Sequence, residues 1–316
     1  MKTIAFFNPQ RGVGKTWLAY HLAWMFADRG LKVVVVDLDP QAKLSCFFLN
    51  DDQLLELWPE GEHPQSLLGA VQPMIAAPPH VEEIADNLGL VVGDLGLAVF
   101  EDKLSRADDR DQIVTAFSRV IAHAGRGREA DVVLLDVGSN LSVVTRAAVM
   151  AAEFVVAPLI PDVFALQSLQ MLGSALRRWR EEWAALGANP PDSNTGLSRN
   201  RMRSVGYMIQ LPAMRLDRPM SAYGPAIASI PRVYRESVLG EAAENAPAVS
   251  SDPHALPVLR HYIGLRDMAP EAHKPMFFLT PADGAIGSLA VLRTECYRDY
   301  IALAAKIAER CEIKFS

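Results

Sequence analysis

Cysteine is scarce: Cys46, Cys296 and Cys311 are the only three in 316 residues, an odd number with no metal-ligand spacing. That excludes a disulfide framework and leaves reduced thiols acting as small apolar residues. No apolar run approaches the roughly 20 residues that span a bilayer. No basic-then-apolar leader opens the chain either, so the expectation is a cytoplasmic protein. A basic excess is also missing. Lysine and arginine number 31 against 37 aspartates and glutamates, a formal net charge of −6, which argues against a broad nucleic-acid footprint. There is no internal repeat and no low-complexity tract, and neither His21 nor His123 has neighbours at metal-ligand spacing.

What the chain does have is apolar residues, 50% of the total, enough for the core of one α/β domain with elaborations. Thr3 to Phe7 is a short apolar run. A loop follows, then a helical stretch from Lys15 to Arg29 that is apolar nearly all round, through Trp17, Leu18, Tyr20, Leu22, Trp24, Met25 and Phe26. Such a helix is buried against a sheet, with Trp24 and Phe26 in the core, and Gly30 stops it. Leu31 to Asp37 is a β-branched run without polar alternation, as suits a strand covered on both faces. Similar runs recur at Asp131–Asp136, Phe154–Leu159, Val205–Gln210 and Met276–Leu279, with helical segments at Ser142–Ala152 and Phe164–Leu186. The alternation predicts a doubly wound, mostly parallel α/β sheet flanked by helices. We read residues 1–316 as a single domain, with insertions near 50–83 and 189–203 and an irregular, proline-rich elaboration near 246–275.

Gly12-Val13-Gly14-Lys15-Thr16 lies between the first predicted strand and helix. Glycines there let backbone N–H groups turn inward around anionic oxygens, and the helix start adds a favourable partial charge. Lys15 would reach the β- and γ-phosphates of a nucleotide, and the Thr16 hydroxyl would ligate Mg²⁺. The usual first glycine of a phosphate loop is replaced by Pro9. Asp37, Asp39 and Asp136 fall at the C-terminal ends of predicted strands, the edge where open α/β sheets bind ligands.

The loop is similar to the variant K-G-G-x-G-K-[ST] of the ParA/MinD family of P-loop ATPases, which needs no glycine at position 9. Asp37-Leu38-Asp39-Pro40-Gln41 resembles that family's D-x-D-P-Q motif, and Val132 through Ser139 resembles its Walker B strand and switch loop. Pro158 to Pro161, the following Phe164 to Leu169, and Ile230-Pro231-Arg232 match later segments, the last near the adenine. The match is in register from residue 2 to about 245. It implies ATP and Mg²⁺ as cofactors, with Gly12, Val13, Gly14, Lys15, Thr16, Trp17, Gln210 and Pro231 at the nucleotide. In the roles so implied, Asp136 holds Mg²⁺ through a water, Asp37 supports that shell and Asp39 orients the attacking water. The family's first loop lysine, which crosses a dimer to the partner's nucleotide, is Gln10 here, and the next glycine is Arg11. Arg11 is the candidate to supply that catalytic cation, although a left-handed backbone at position 11 would strain an arginine.

The expected function is a ParA-like, slowly hydrolysing ATP switch that dimerises with ATP and acts in DNA partition or cargo positioning with a stimulating or cargo protein. The alternative is a nucleotide-binding interaction module with little or no hydrolysis. In the Phe164–Leu186 helix, apolar positions 166, 169, 172, 176, 179, 183 and 186 form a stripe, with Arg177–Glu181 and Arg178–Glu182 spaced to pair. Arg199, Arg201, Arg203, Arg215 and Arg218 could form a phosphate-binding strip, but the net charge does not favour nonspecific DNA binding. The Tyr297–Arg310 segment lacks a strong cationic face and reads as a packing helix, not a membrane anchor.

Overall fold

The computed structural model describes residues 1–59, 63–72, 78–105, 110–186, 201–211 and 224–315. Among them, Lys2–Phe6 (β1), Val33–Leu38 (β2), Glu82–Ala85 (β3), Leu88–Val91 (β4), Val132–Val137 (β5), Phe154–Leu159 (β6) and Arg203–Ile209 (β7) form one seven-stranded sheet. Its order is β3-β4-β2-β5-β1-β6-β7, with every neighbouring pair parallel except the edge hairpin β3–β4. The predicted doubly wound sheet is therefore present. The hairpin around Asp86 and Asn87 escaped the sequence reading, which ended its insertion at residue 83, inside β3.

Strand parity sorts the core into two layers. Ile4, Phe6, Val33, Val35, Val132 and Leu134 face one side, against Lys15–Asp28 (α1) and the long C-terminal helix Ser288–Arg310 (α11 below). Ala5, Phe7, Val34, Val36, Val133 and Leu135 face the other. That second layer is completed by Arg110–Gly127, Val143–Ala151 and Ala165–Leu186, here α6, α7 and α8. The intervening helices are Lys43–Phe48 (α2), Asp51–Leu57 (α3), Leu67–Val71 (α4) and Leu97–Ser105 (α5). Gly224–Tyr234 (α9) and Leu265–Glu271 (α10) follow α8, before α11. The stripe on α8 is buried as expected at Leu169, Leu172, Leu176 and Trp179.

Three expectations are corrected. Met276–Leu279 is not a strand; Met276–Phe278 forms a 3-10 turn after Pro275. Its Met276 N–H is bonded to His21 Nε2 at 3.1 Å, and Met276 and Phe277 are buried against the α1 layer, so apolarity there serves packing and not a ladder. Arg177 does not pair with Glu181 but donates to the Ser237 carbonyl, whereas Arg178 keeps Glu182 at 3.7 Å. The two described arginines of the strip, Arg201 and Arg203, are not a free cationic surface. Arg201 is buried, donates to the Ala151 carbonyl and lies over Trp183, and Arg203 reaches Glu312 at 3.4 Å and covers Phe154. Arg199, Arg215 and Arg218, with most of the 189–203 insertion, lie outside the described residues. Tyr297–Arg310 does pack, burying Tyr300, Leu303, Ala304 and Ile307. Among the described residues no helix is long and apolar enough to cross a membrane.

Candidate functional site

The loop leaving β1 is pinned at both shoulders. Buried Asn8 donates through Nδ2 to the Pro158 carbonyl (2.8 Å) and accepts the Gln10 N–H at Oδ1 (2.8 Å). Gln10 Nε2 donates to Asp162 Oδ2 at 2.9 Å, and the other oxygen of Asp162 accepts the N–H groups of Phe164 and Ala165 that open α8. Positive φ falls on Gly12 (77°) and Gly14 (87°) and not on Arg11, so the feared strain at position 11 is absent. Gly14 also lets the Gln210 side chain, just beyond β7, rest on the loop, since a Cβ there would sit 2.0 Å from its Oε1 and displace it. Lys15 folds back across the loop, its Nζ donating to Ser139 Oγ (2.6 Å) and to the carbonyls of Asn8 (3.2 Å) and Gln10 (3.4 Å). Burial pulls its pKa down, opposed by the Asp136 and Asp39 carboxylates.

The carboxylates come from strand register. Asp37 on β2 lies directly beside Asp136 on β5, which lies beside Phe6 on β1. Both share the parity of the layer under α1 and both are fully buried. Asp37 is fully engaged at one oxygen, which accepts the Ser45 N–H (2.9 Å) and hydroxyl (2.7 Å); burial nevertheless pushes its pKa up to about 7. Neither oxygen of Asp136 has a hydrogen-bond partner. Burial first, then the neighbouring Asp37, raises its pKa well above the carboxylate range, with the nearby Thr16 hydroxyl acting the other way. Asp39 is held by its own turn, its Oδ1 accepting the Gln41 N–H at 3.0 Å.

These groups open on a cavity of about 620 Å³ lined by Arg11, Gly12, Gly14, Lys15, Thr16, Trp17, Asp39, Ser139 and Asn140. Val13, Asp37 and Asp136 are buried and do not line it. Gln210 reaches the loop through Gly14, whereas Pro231 is buried inside α9 and is not part of the lining. Three neighbours escaped the sequence reading. Ser45 fastens Asp37 and accepts the Gly93 N–H at 2.9 Å. Gly93 itself must lack a side chain, since a Cβ would meet Asp37 Cγ at 2.7 Å. Arg266, from the region read only as irregular, also lines the cavity. No sequence spacing signals any of the three, since each is brought in by a different crossover.

The residues fit a metal-bound triphosphate. Among the described residues no cluster of three or more His, Cys, Asp or Glu could cage a metal alone. Two buried carboxylates and a hydroxyl suit Mg²⁺, which binds through one or two carboxylates plus substrate phosphates. Unpartnered Asp136 is the group that such an ion would satisfy.

A glycine loop between β1 and α1, with strand-end carboxylates alongside, defines a P-loop NTPase fold. The AAA domain family matches residues 1–185. Protein IncC of Escherichia coli is 33% identical over 238 residues, 72% of this chain and 62% of IncC, so the match spans less than two thirds of that relative. The chromosome-partitioning ATPase Soj of Thermus thermophilus is 29% identical over 212 residues, 67% of this chain and 70% of Soj. An ATP complex of a Cyanothece McdA variant superposes with TM-score 0.61 at 16% identity, covering 100% of this chain and 98% of McdA. A plasmid partition protein from Borrelia burgdorferi gives 0.53 at 14% identity, covering 87% and 95%. At such identities the structures show shared fold. The chain belongs to the AAA domain family and, with these relatives, to its ParA/MinD group of P-loop ATPases.

Proposed function

We propose that this protein is a ParA-like switch that binds ATP with Mg²⁺, hydrolyses it slowly and dimerises face to face in the ATP state. Its work would be DNA partition or cargo positioning, with a stimulating or cargo protein as partner. The observation that carries the reading is Asp136, buried and unpartnered beside Asp37 at the foot of the glycine loop. In this reading the N–H groups of Gly12 to Thr16 cradle the phosphates, and Lys15 neutralises the β- and γ-oxygens. Thr16 and, through a water, Asp136 would hold Mg²⁺, and Asp37, itself anchored by Ser45, would support that shell. When bound, the ion would supply charge neutralisation at the phosphates. Asp39 orients the water whose oxygen adds to the γ-phosphorus as the bond to the β-phosphate oxygen breaks, giving ADP and phosphate. Lys15 is now bonded to Ser139, so phosphates that claim the lysine must release the 138–140 loop, which supports a switch.

The relation to Soj, a chromosome-partitioning ATPase, supports the partition class. Among the described residues the arginines expected to hold DNA are engaged internally, so direct DNA contact is the least supported part. One observation favours the second reading, an interaction module with little hydrolysis. Gln10 is neutral and tied to Asp162, which leaves exposed Arg11 as the only loop cation able to act in trans. Calorimetry and phosphate release test both. Lys15→Ala is expected to abolish Mg²⁺–ATP binding. Asp39→Ala should keep binding and stop turnover; equal turnover in wild type and this variant removes Asp39 from its role. Arg11→Ala should lower turnover tenfold or more, at the low end of the effect of an arginine finger, about 10³–10⁵. No change would favour the interaction module.

A further inference from the structure

Arg266 belongs to none of the roles above. It comes from α10, well beyond the 1–185 segment matched by the family, yet it lines the cavity with Lys15, Asp39 and Ser139. Its guanidinium carbon stands 5.0 Å from the centroid of the Trp17 ring. Trp17 is itself braced by Phe47 (5.0 Å) and His21 (5.1 Å), so the platform under the guanidinium is fixed. Trp17 and Arg266 also line a narrow recess that runs to Gln210, the residue resting on Gly14.

The contrast with its neighbour is informative. Arg260 lines the same recess but is spent on Asp299 (3.0 Å) and Glu295 (2.8 Å). Arg266 is half-buried, and among the described residues it meets the Trp17 ring without an ion pair or hydrogen bond, while Tyr300 and Asp267 act on its charge only through space. A guanidinium carries five N–H donors, and a cation partly removed from water with no anion in contact is costly. Stacking covers one face and leaves the N–H edges free, the arrangement suited to bidentate contact with phosphate oxygens. The first turn of α1, to which Trp17 belongs, is also where a phosphate is drawn by free backbone N–H groups.

We propose that Arg266 is a phosphate-binding residue of the nucleotide site, supplied in cis by the C-terminal segment and held ready on Trp17. The proposal rests on the nucleotide-binding reading above and extends it by coupling occupancy of the loop to α10.

The test is calorimetry on the full chain with Mg²⁺, using ATP and inorganic tripolyphosphate as two probes. Arg266→Gln should weaken both by about ten- to a hundredfold, the loss of a charged hydrogen bond to phosphate. Unchanged binding of both overturns the proposal. So does weakened ATP with unchanged tripolyphosphate, which would place Arg266 on the nucleoside. Melting without ligand guards against misfolding and should match the wild type, while the rise produced by ATP shrinks. If Arg266→Gln melts low, Arg266→Lys decides: retained charge should restore part of the affinity for both probes, and equally weak binding overturns the proposal. Wild-type protein that binds neither probe fails the nucleotide reading itself, which separates the two failures.

Discussion

Asp136 is kept at a cost to the resting fold. A buried carboxylate with no well-formed hydrogen bond on either oxygen, opposed by Asp37 on the adjacent strand and eased by the nearby Thr16 hydroxyl and Lys15, is an arrangement that stability alone would remove. Asp136→Asn is therefore expected to raise the melting temperature of the nucleotide-free protein by about 2 °C or more. The same change should abolish the gain in ATP affinity given by Mg²⁺. Thermal melts and calorimetry with and without the ion read the two effects, and a variant that melts lower would remove the strain argument. Gly93 makes the converse point. Alanine there would press on Asp37 at 2.7 Å, and overpacking of this kind costs about 1–3 kcal/mol. Urea denaturation of Gly93→Ala should show that loss, and an unchanged midpoint would mean the loop yields.

Among the elements, α1 joins the phosphate loop to the C-terminal segment, and His21 is the joint. Its Nδ1 faces the Trp17 carbonyl at 2.8 Å and its Nε2 takes the Met276 N–H at 3.1 Å, which assigns the proton to Nδ1. Stacking on Trp17 and Tyr300 completes the cage. Burial holds the His21 pKa down to about 3. The unfolded chain, with an ordinary histidine, binds a proton near pH 6.5 that the folded chain refuses. Stability is therefore full above pH 6.5 and is lost as pH falls toward 3, by at most about 1.4 kcal/mol per pH unit from this group. His21→Leu should be less stable at pH 7, by about 2 kcal/mol, because the Met276 N–H loses its acceptor. It should also lose less between pH 7 and pH 5 than the wild type does. Denaturant midpoints at the two pH values check this, and parallel losses would acquit His21.

At the scale of the molecule, the sheet order sets β1 between β5 and β6 and sends the chain outward on both sides. All the motif loops thus emerge on one edge. Exposed apolar side chains flank them: Leu141 beside Asn140, and Val163 and Phe164 beside Asp162 (42%, 73% and 59% exposed). Such a rim is suited to association with a second copy. Sedimentation of Asp39→Ala should show a dimer with Mg²⁺–ATP and a monomer with ADP. Adding Phe164→Glu should leave ATP binding intact and shift the ATP form to monomer; an unaffected dimer would put the interface elsewhere.

Local pattern alone determined a good deal. The apolar runs at 31–37, 131–136 and 154–159 read as covered strands, and the glycines before Lys15 as a loop whose N–H groups turn inward, because both follow from neighbours in sequence. Asp37 and Asp136 were legible as strand-end acids. That they lie side by side, one bonded and one bare, was decided by register between β2 and β5. Tertiary structure likewise turned Met276–Phe278 into a plug, spent Arg201 and Arg203 inside the fold, and carried Arg266 to the cavity. A side chain's partner is set by which crossover ends beside it, and no period or spacing along the chain encodes that.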